Sequence, residues 1–203
     1  MESLLAALLG YLLGSIPFGL LLTRMAGLGD VRQQGSGNIG ATNVLRTGSK
    51  WLAAATLVLD LLKGLAAVLL ARHFFPYPAA VQSIWWGAAP AAALGAVLGH
   101  CFPVWLGFKG GKGVATNAGV AFGLALPLGL TYAFVWIGML ALTRISSLAG
   151  MSAVVCAAIA AALFGYPVYV PVLVAIAVIV LWLHRANIGR LLRGEEPRVG
   201  KSK

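Results

Sequence analysis

Long continuous apolar runs decide what this chain can fold into. The clearest cover residues 3–23 and 51–75, and further runs cover 85–101, 114–142, 148–164 and 168–183. A helix that crosses a hydrocarbon core of roughly 30 Å needs about 20 residues, and continuous rather than alternating runs favour helices over a β-barrel. Only 10% of the 203 residues are charged, whereas soluble domains carry about 25%. The sequence therefore predicts an all-α, polytopic membrane protein.

The runs divide into seven predicted transmembrane helices in a single domain, residues 1–203. The first run has no basic segment before it and no small-residue cleavage site after it, so it is interpreted as a retained span that bends near Pro17. Residues 114–142 are too long for one comfortable span and contain Pro127, so they are assigned two short, tilted helices.

Prolines, aromatic residues and cysteines add local expectations. The second span should stop at Pro76-Tyr77-Pro78, and Trp85 with Trp86 should form an interfacial aromatic belt at the start of the third. Cys101 and Cys156 lack the spacing of metal ligands and are expected to be ordinary buried thiols.

Four polar segments interrupt the apolar runs, at residues 35–46, 108–117, 144–147 and 184–203. Because two spans separate each segment from the next, all four should lie on one membrane face. That face would carry 13 of the 15 basic residues, namely Arg24, Arg32, Arg46, Lys50, Lys109, Lys112, Arg144, Arg185, Arg190, Arg193, Arg198, Lys201 and Lys203. The positive-inside rule then makes the face cytoplasmic and places the N-terminus outside and the C-terminus in the cytoplasm. Topology thus accounts for the net charge of +10. No nucleic-acid partner is expected, and the tail should also attract anionic membrane lipid.

The first polar segment contains Gly35-x-Gly37-x-x-Gly40, which matches the dinucleotide-binding fingerprint letter by letter. The context is wrong, because no strand precedes it and the acid 20 residues later, Asp60, lies inside an apolar run. Glycines nevertheless let backbone N–H groups turn towards an anion. Neutral donors and one guanidinium accompany them, on Ser36, Asn38, Thr42, Asn43 and Arg46. The segment is therefore interpreted as an anion-binding loop, with Arg46 as the planar fork for a phosphate.

The second polar segment resembles a phosphate loop without being a Walker A sequence. Leu106 stands where that pattern needs glycine, and Gly113 follows Lys112 where serine or threonine should bind magnesium. Glycines that lead into a helix still offer free N–H groups and a positive dipole end to an anion. We interpret the segment as a second anion site with Lys112 as its charge, the alternative being a flexible loop with membrane-facing lysines.

Two further pairs of polar residues stand three positions apart within or at the end of a predicted span. His184 and Asn187 stand three residues apart at the inner end of the last span and are expected to share a target. Asp60 and Lys63 lie three apart within the second span, where unpaired charges are costly. They should face inward and form an ion pair, and a place for Lys63 beneath a phosphate site is the alternative.

Several enzyme classes are excluded by what the sequence lacks. The predicted cytoplasmic face offers only Asp30, Glu195 and Glu196 as acids, too scattered for a Mg²⁺ or Zn²⁺ site. No metal is therefore expected, and the clustered aspartates of CDP-alcohol phosphotransferases are missing. None of His73, His100 and His184 is followed by an acid at the fifth position, so the H-x₄-D dyad of the common glycerolipid acyltransferases is missing as well.

Three long motifs together identify a family. They are Ser36 to Arg46, then Gly99-His100-x-Phe102-Pro103 running into Phe108 to Thr116, and finally His184-Arg185-x-Asn187-Ile188-x-Arg190-Leu191 followed by Gly194-x-Glu196. In this order, over essentially the whole chain, they resemble the acyl-phosphate-dependent glycerol-3-phosphate acyltransferases of bacterial membranes, the PlsY type. Ser146-Ser147 fits the serine expected in the third segment, whereas Ala149-Gly150 is less polar than the family pattern.

The resemblance implies seven spans, a cytoplasmic site at the bacterial inner membrane and no cofactor. The implied reaction moves a fatty acyl group from acyl phosphate to the 1-hydroxyl of glycerol 3-phosphate, giving lysophosphatidate and inorganic phosphate, the first acylation of phospholipid synthesis. The implied catalytic residues are Ser36, Arg46, Lys112, His184 and Asn187. The implied substrate-binding residues are Gly37, Asn38, Gly40, Thr42, Asn43, Lys63, Gly110, Gly111, Gly113, Thr116 and Ser147.

Roles follow from this chemistry as hypotheses. The first segment would hold the acyl-phosphate head, the residues 110–113 would cradle glycerol 3-phosphate, and His184 with Asn187 would orient the attacking hydroxyl. The proton acceptor is either His184 or, as we prefer, a substrate phosphate oxygen, and Ser36 as a covalent nucleophile is a third option without a base fixed beside it. Glu196 is expected to bond an arginine. An anion transporter and a lipid-phosphate phosphatase remain the alternative functions.

Overall fold

The computed structural model describes residues 1–76 and 87–200, and within these ranges the chain forms helices and turns without a strand. The α-helices are α1 (Glu2–Gly14), α2 (Phe18–Met25), α3 (Ala41–Leu45), α4 (Lys50–Phe74), α5 (Ala88–Cys101), α6 (Val114–Leu124), α7 (Leu126–Thr143), α8 (Ser146–Leu163), α9 (Val170–Leu183) and α10 (Arg185–Leu192). The all-helical prediction is confirmed for these residues. The second span ends at Phe74, shortly before Pro76, as predicted. Tyr77, Pro78 and the belt of Trp85 and Trp86 lie outside the described residues.

Fewer segments qualify as complete spans than the seven predicted. Within the described ranges, five are long and apolar enough to cross a membrane, namely Glu2–Met25, α4, Ala88–Leu106, α7 and α8. A sixth is reached if Pro167–Leu183 and α10, bent by 62°, count as one span. The remaining apolar helix, α6, has 11 residues and extends only about 16 Å, roughly half of a hydrocarbon core.

The breaks in the helices lie close to the predicted positions. The first span bends between α1 and α2, around Ser15–Pro17 as expected. The break within residues 114–142 falls at the extended Ala125, and Pro127 sits in the first turn of α7, where its missing N–H is not needed. With 18 residues, α7 is a full-length helix rather than the short one predicted. The tail, predicted only as a basic segment, begins with the helix α10.

The short helix α6 ends beside a basic side chain of α4. Arg72, in the last turn of α4, donates a 3.0 Å hydrogen bond from its guanidinium to the carbonyl oxygen of Gly123. The last carbonyls of a helix have no partners within it, and in an apolar surrounding such groups are costly. Arg72 therefore stabilises an end of α6 that falls short of the predicted membrane thickness.

Glycines bring α1 and α5 into close contact. Gly10 and Gly14 on α1, and Gly95 and Gly99 on α5, form two small-xxx-small pairs that face each other. A Cβ at any of the four would collide with a backbone carbonyl of the opposite helix. The first span is therefore held against the bundle by backbone contact.

Gly95→Val tests this packing. We expect it to lower the melting temperature in detergent by several degrees and to reduce the yield of folded protein, because overpacking a close contact costs about 1–3 kcal/mol or more. Gly138→Val is the matched control, since a Cβ at Gly138 on α7 meets no atom within 4 Å. Equal melting temperatures for the two variants would contradict the close α1–α5 contact.

Two apolar clusters position the polar segments. The larger includes Val97, Val154 and Leu173, from α5, α8 and α9. A smaller cluster of Leu20, Val31, Ile39 and Val44 fixes the first polar segment on α2 and α3. Outward-facing side chains such as Phe134 and Leu142 on α7 are 82% and 83% exposed, as expected where a helix faces lipid. The polar loops thus sit at the end of a packed, lipid-facing bundle.

Candidate active site

A cavity of about 890 Å³ opens where the four polar segments meet. Its walls include side chains from all four, so the structure brings together segments that are far apart in sequence. Eleven residues predicted for the site line it, namely Ser36, Asn38, Gly40, Thr42, Asn43, Arg46, Lys112, Gly113, Ser147, His184 and Asn187.

Asn43 organises the first polar segment from inside. Its buried amide nitrogen donates to the carbonyl oxygens of Val31, Gln34 and Asn38 at 2.8–3.0 Å. Its amide oxygen accepts from the backbone N–H of Ser36 at 3.0 Å. Because both ends of the amide are engaged within the loop, Asn43 shapes the loop around the cavity rather than offering free donors to a substrate.

Arg46 extends along the same loop. One guanidinium nitrogen lies 3.3 Å from the amide oxygen of Asn43, and the side chain lines the cavity. Gly35, at φ +54°, leaves no room for a Cβ beside this guanidinium. The glycine therefore lets the arginine lie flat against the loop, where the planar fork of its donors is available to a phosphate.

Glu196 is the centre of the polar contacts at the opposite wall. Its carboxylate, 6% exposed, accepts from the Ser147 hydroxyl at 2.6 Å, the Asn187 amide at 2.5 Å and the Arg190 guanidinium at 2.7 Å. Burial opposes ionisation, but these three donors together hold the pKa of Glu196 below its ordinary value. The predicted bond from Glu196 to an arginine is confirmed. One carboxylate thus joins α8, α10 and the tail.

Lys112 reaches this network through Asn187, since its ammonium donates to the Asn187 amide oxygen. Burial chiefly, together with the nearby Arg190, lowers the pKa of Lys112 from its ordinary value. A bound phosphate would favour the charged ammonium by the same electrostatics. Lys112 is therefore fixed in direction by a neutral amide while its charge remains available to an anion.

His184 lies at the junction of α9 and α10 and is 4% exposed. Its Nδ1 atom is 2.7 Å from the carbonyl oxygen of Val180, and because a carbonyl only accepts, Nδ1 carries the proton. In the neutral ring Nε2 is then an acceptor. His184 is thus oriented to accept a hydrogen bond, for instance from a substrate hydroxyl.

Gly110 and Gly111, predicted to cradle a phosphate, are placed elsewhere. Neither is among the described residues that line the cavity. Their backbone N–H groups donate to the carbonyl oxygens of Cys101 and His100 at 3.1 and 3.0 Å, so these donors are engaged by the end of α5. The two glycines bring the loop close to α5, and Lys112 follows directly.

Three other predicted residues also lie outside the cavity lining. The described lining does not include Gly37, Thr116 or Lys63. Thr116 packs α6 closely against Gly64 of α4. The Lys63 ammonium lies 2.7 Å from the Asp60 carboxylate, which confirms the predicted ion pair.

Some cavity residues were not predicted for the site. Arg190 and Arg198 line it, although the sequence marked them only as topological charges. Asp60 and His100 also reach it from α4 and α5, and Trp136 reaches it from α7. His100 and Arg190 both belong to the family motifs, and this was the sequence feature that could have marked them as site residues.

The cavity wall also has an apolar part. It is formed by Leu57 of α4, Val114 and Ala115 of α6 and Trp136 of α7. The cavity therefore combines cations and hydrogen-bond donors with apolar side chains from three helices.

Comparison with known proteins gives consistent findings. A family model described as glycerol-3-phosphate acyltransferase matches residues 4–194. Relatives with that name include proteins of Erythrobacter litoralis, 71% identical over 97% of this chain and 94% of its own length, and of Mesorhizobium japonicum, 59% identical over 97% and 96%. Crystal structures of PlsY (YgiH), an integral membrane glycerol 3-phosphate acyltransferase, superpose with TM-scores of 0.89 for the glycerol 3-phosphate form and 0.86 for the lysophosphatidic acid form. Both are 38% identical and cover 98% of this chain and 96% of theirs.

Proposed function

This chain belongs to the glycerol-3-phosphate acyltransferase family, and we propose that it takes its acyl group from a fatty acyl phosphate and transfers it to the 1-hydroxyl of glycerol 3-phosphate. The hydroxyl oxygen attacks the carbonyl carbon, the bond from that carbon to the phosphate oxygen breaks, and the phosphate leaves with the bonding electrons. The hydroxyl proton goes to a phosphate oxygen. The products are 1-acyl-glycerol 3-phosphate and inorganic phosphate.

One observation carries this proposal, namely that a single cavity is lined by both cationic and apolar side chains. Each substrate bears a phosphate of about −1.5 to −2 at neutral pH, so two substrates bring close to four negative charges. The cavity offers Arg46, Lys50, Lys112, Arg190 and Arg198 against the carboxylates of Glu196 and Asp60. Asp60 is already paired with Lys63. The remaining excess of positive charge suits two phosphates held side by side.

The apolar part of the cavity wall supports a lipid donor. A fatty chain has no hydrogen-bonding groups, and burying it among apolar side chains contributes about 0.8 kcal/mol per CH₂. Leu57, Val114 and Trp136 provide such a wall in the same cavity as the cations. A small water-soluble acyl donor would not need this continuation.

The roles divide between the two walls of the cavity. We assign Ser36, Thr42 and Arg46 to the acyl-phosphate head, with Arg46 opposing the charge that develops on the carbonyl oxygen. Lys112 and Asn187 are assigned to the phosphate and hydroxyls of glycerol 3-phosphate.

His184 is assigned to orient the attacking hydroxyl through its Nε2 atom. The described wall supplies no carboxylate free to take the proton, because Glu196 already accepts three hydrogen bonds and Asp60 is paired with Lys63. The leaving phosphate is a good acceptor that is generated at the reacting centre. Catalysis then consists of alignment and charge stabilisation by groups fixed in advance.

The same charges support a location for the site. Arg46, Lys112, Arg144 and Arg190 lie on the loops and ends around the cavity, and the positive-inside rule assigns such loops to the cytoplasm. We place the chain in the bacterial inner membrane with its C-terminus in the cytoplasm and its N-terminus outside. In this arrangement α6 counts as the seventh, incomplete crossing.

Release of inorganic phosphate tests the reaction. Purified protein in detergent is expected to release phosphate from palmitoyl phosphate only when glycerol 3-phosphate is present, with one lysophosphatidate formed per phosphate. Phosphate release without the acceptor would indicate a lipid-phosphate phosphatase. No release, with phosphate flux into proteoliposomes instead, would indicate a transporter.

Lys112→Met tests the division of roles. It removes the ammonium but keeps most of the side-chain volume, so the KM for glycerol 3-phosphate should rise by about 10- to 100-fold, as expected for one lost hydrogen bond to a charged group. The KM for acyl phosphate should change by no more than about 3-fold on the same grounds. Lys109→Met, on the same loop but exposed and outside the described lining, is the control. An equal rise for both substrates would mean that Lys112 serves both phosphates.

A further inference from the structure

Three ionisable side chains form a cluster at the cavity wall and directly behind it. The Lys63 ammonium and the Asp60 carboxylate, both on α4, are 2.7 Å apart, and Nδ1 of His100 on α5 lies 3.7 Å from the same carboxylate oxygen. All three side chains are no more than 3% exposed. The His100 distance is too long for a hydrogen bond but short enough for electrostatic attraction.

The cluster is joined to the second polar segment through His100. The backbone N–H of Gly111 donates to the His100 carbonyl oxygen at 3.0 Å. The Gly111 Cα also lies against the His100 imidazole so closely that a Cβ there would collide with Nε2. The His100 ring is therefore in direct contact with Gly111, the residue that immediately precedes Lys112 in the chain.

The cluster is also fixed from the other side. The Lys63 ammonium donates a 2.7 Å hydrogen bond to the carbonyl oxygen of Ile16, at the break between α1 and α2. Lys63 thus holds Asp60 from a point on the first span, and Asp60 in turn faces the imidazole. A rigid chain of contacts connects the first span to the loop that carries Lys112.

Packing alone gives no reason for this arrangement. Charged side chains inside a membrane bundle are costly, and well-packed apolar residues of similar volume usually serve stability as well or better. Asp60 and His100 both reach the cavity, and His100 Nδ1 has no hydrogen-bond partner within the described structure. The carboxylate attracts the ring electrostatically across 3.7 Å, and Gly111 lies in direct contact with the ring.

We propose that His100, held by the Asp60–Lys63 ion pair, is a positioning residue for Lys112. It touches neither reacting atom and acts by seating Gly111, so that the Lys112 ammonium points at Asn187 and at the phosphate of glycerol 3-phosphate. This inference rests on the proposed function, in which Lys112 binds glycerol 3-phosphate.

A double-mutant cycle on the full-length enzyme tests the inference. Asparagine at position 100 keeps a polar group near Nδ1 but removes the edge that supports Gly111. In His100→Asn the KM for glycerol 3-phosphate should rise about 10-fold, because a misplaced contact group can reduce rates by up to about 10²-fold. The kcat and the KM for acyl phosphate should stay within about 2-fold. In the Lys112→Met background the same substitution should add less than about 2-fold, because the group it positions is gone.

Controls separate the possible failures. His73→Asn, at the exposed far end of α4, should leave both KM values unchanged. If His100→Asn multiplies the KM equally with and without Lys112, His100 acts independently and the inference is wrong. If Lys112→Met itself leaves the KM for glycerol 3-phosphate unchanged, the assignment of Lys112 in the proposed function fails first.

A second variant covers the case in which His100→Asn does not fold. Gly111→Ala forces a Cβ against the imidazole and displaces the loop without removing any charge. It should reproduce the rise in KM for glycerol 3-phosphate by about 10-fold with little change for acyl phosphate. An unchanged KM in Gly111→Ala would overturn the inference.

Discussion

Replacing Arg46 with glutamine is expected to lower kcat/KM for acyl transfer by about 10²- to 10³-fold, the range seen when one donor to a developing anion is removed. Arg46 is the cation of the first polar segment that lies on the cavity wall, and its guanidinium is aligned by the Asn43 amide. Glutamine retains one donor group but loses the charge and the second arm of the fork. The fold should be retained, because the Arg46 side chain is exposed.

Arg46→Lys separates charge from geometry. Lysine keeps the charge but cannot form two parallel hydrogen bonds to a phosphate, so we expect it to recover no more than about a tenth of the wild-type kcat/KM. Arg24→Gln is the matched control, because Arg24 pairs with Asp30 at the surface and is 57% exposed. A similar loss in Arg24→Gln would mean that overall surface charge, rather than Arg46, attracts the anionic substrates. Initial rates with each substrate varied in turn provide the measurement.

The pattern of apolar residues was sufficient to predict the class of fold and the positions of most helices. Apolar run length and the prolines at 17 and 127 located the bends, because proline cannot continue a helix from its interior. The count of spans was less well determined. The length of an apolar run does not show how far into the membrane its helix extends. The short α6 is stabilised by a hydrogen bond from Arg72 of another helix, and no local sequence pattern predicts such a contact.

The site was predictable in outline because its loops have unusual composition for a membrane chain. Glycine, asparagine and basic residues are conspicuous between apolar runs, and topology alone placed them on one face. The roles of individual residues were harder to assign. Asn43 has an amide that could bind a ligand, but this amide donates to three backbone carbonyls instead. The N–H groups of Gly110 and Gly111 likewise donate to carbonyls at the end of α5.

The missed contacts share a physical reason. The sequence predicted that Glu196 bonds an arginine but not that it bonds Ser147, which is 49 positions away, and it did not predict that His100 faces Asp60 from a different helix. Such pairs form only after the helices pack, so neither spacing nor composition reveals them. The polar walls of the cavity are therefore a property of the bundle rather than of any one segment.

Glu196→Gln should be the most damaging single change at the opposite wall. The carboxylate accepts three hydrogen bonds at once, and glutamine would present an amide N–H₂ group to one of the donors. We expect a loss of about 2–3 kcal/mol in stability, typical of hydrogen bonds to a charged group left unmade, which lowers the melting temperature in detergent. Activity at low temperature should fall by about 10²-fold as well, because Asn187 holds Lys112 and loses its own support.

The adjacent glutamate supplies the control for this prediction. Glu195 also bonds an arginine, Arg193, at 2.7 Å, but both side chains are more than half exposed, so Glu195→Gln should change stability by no more than about 0.5 kcal/mol.

The pH dependence of stability gives an independent test of the role of Glu196. The folded protein lowers the pKa of Glu196 below its ordinary value of 4.5. The ionised carboxylate therefore contributes its full stabilisation at pH values above 4.5, and this stabilisation is lost as the pH falls through the lower pKa of the folded state. The difference in melting temperature between wild type and Glu196→Gln should therefore be constant from about pH 6 to 8 and shrink in acid. A difference that grows in acid, or equal melting of the two glutamine variants, would show that Glu196 does not hold the site together.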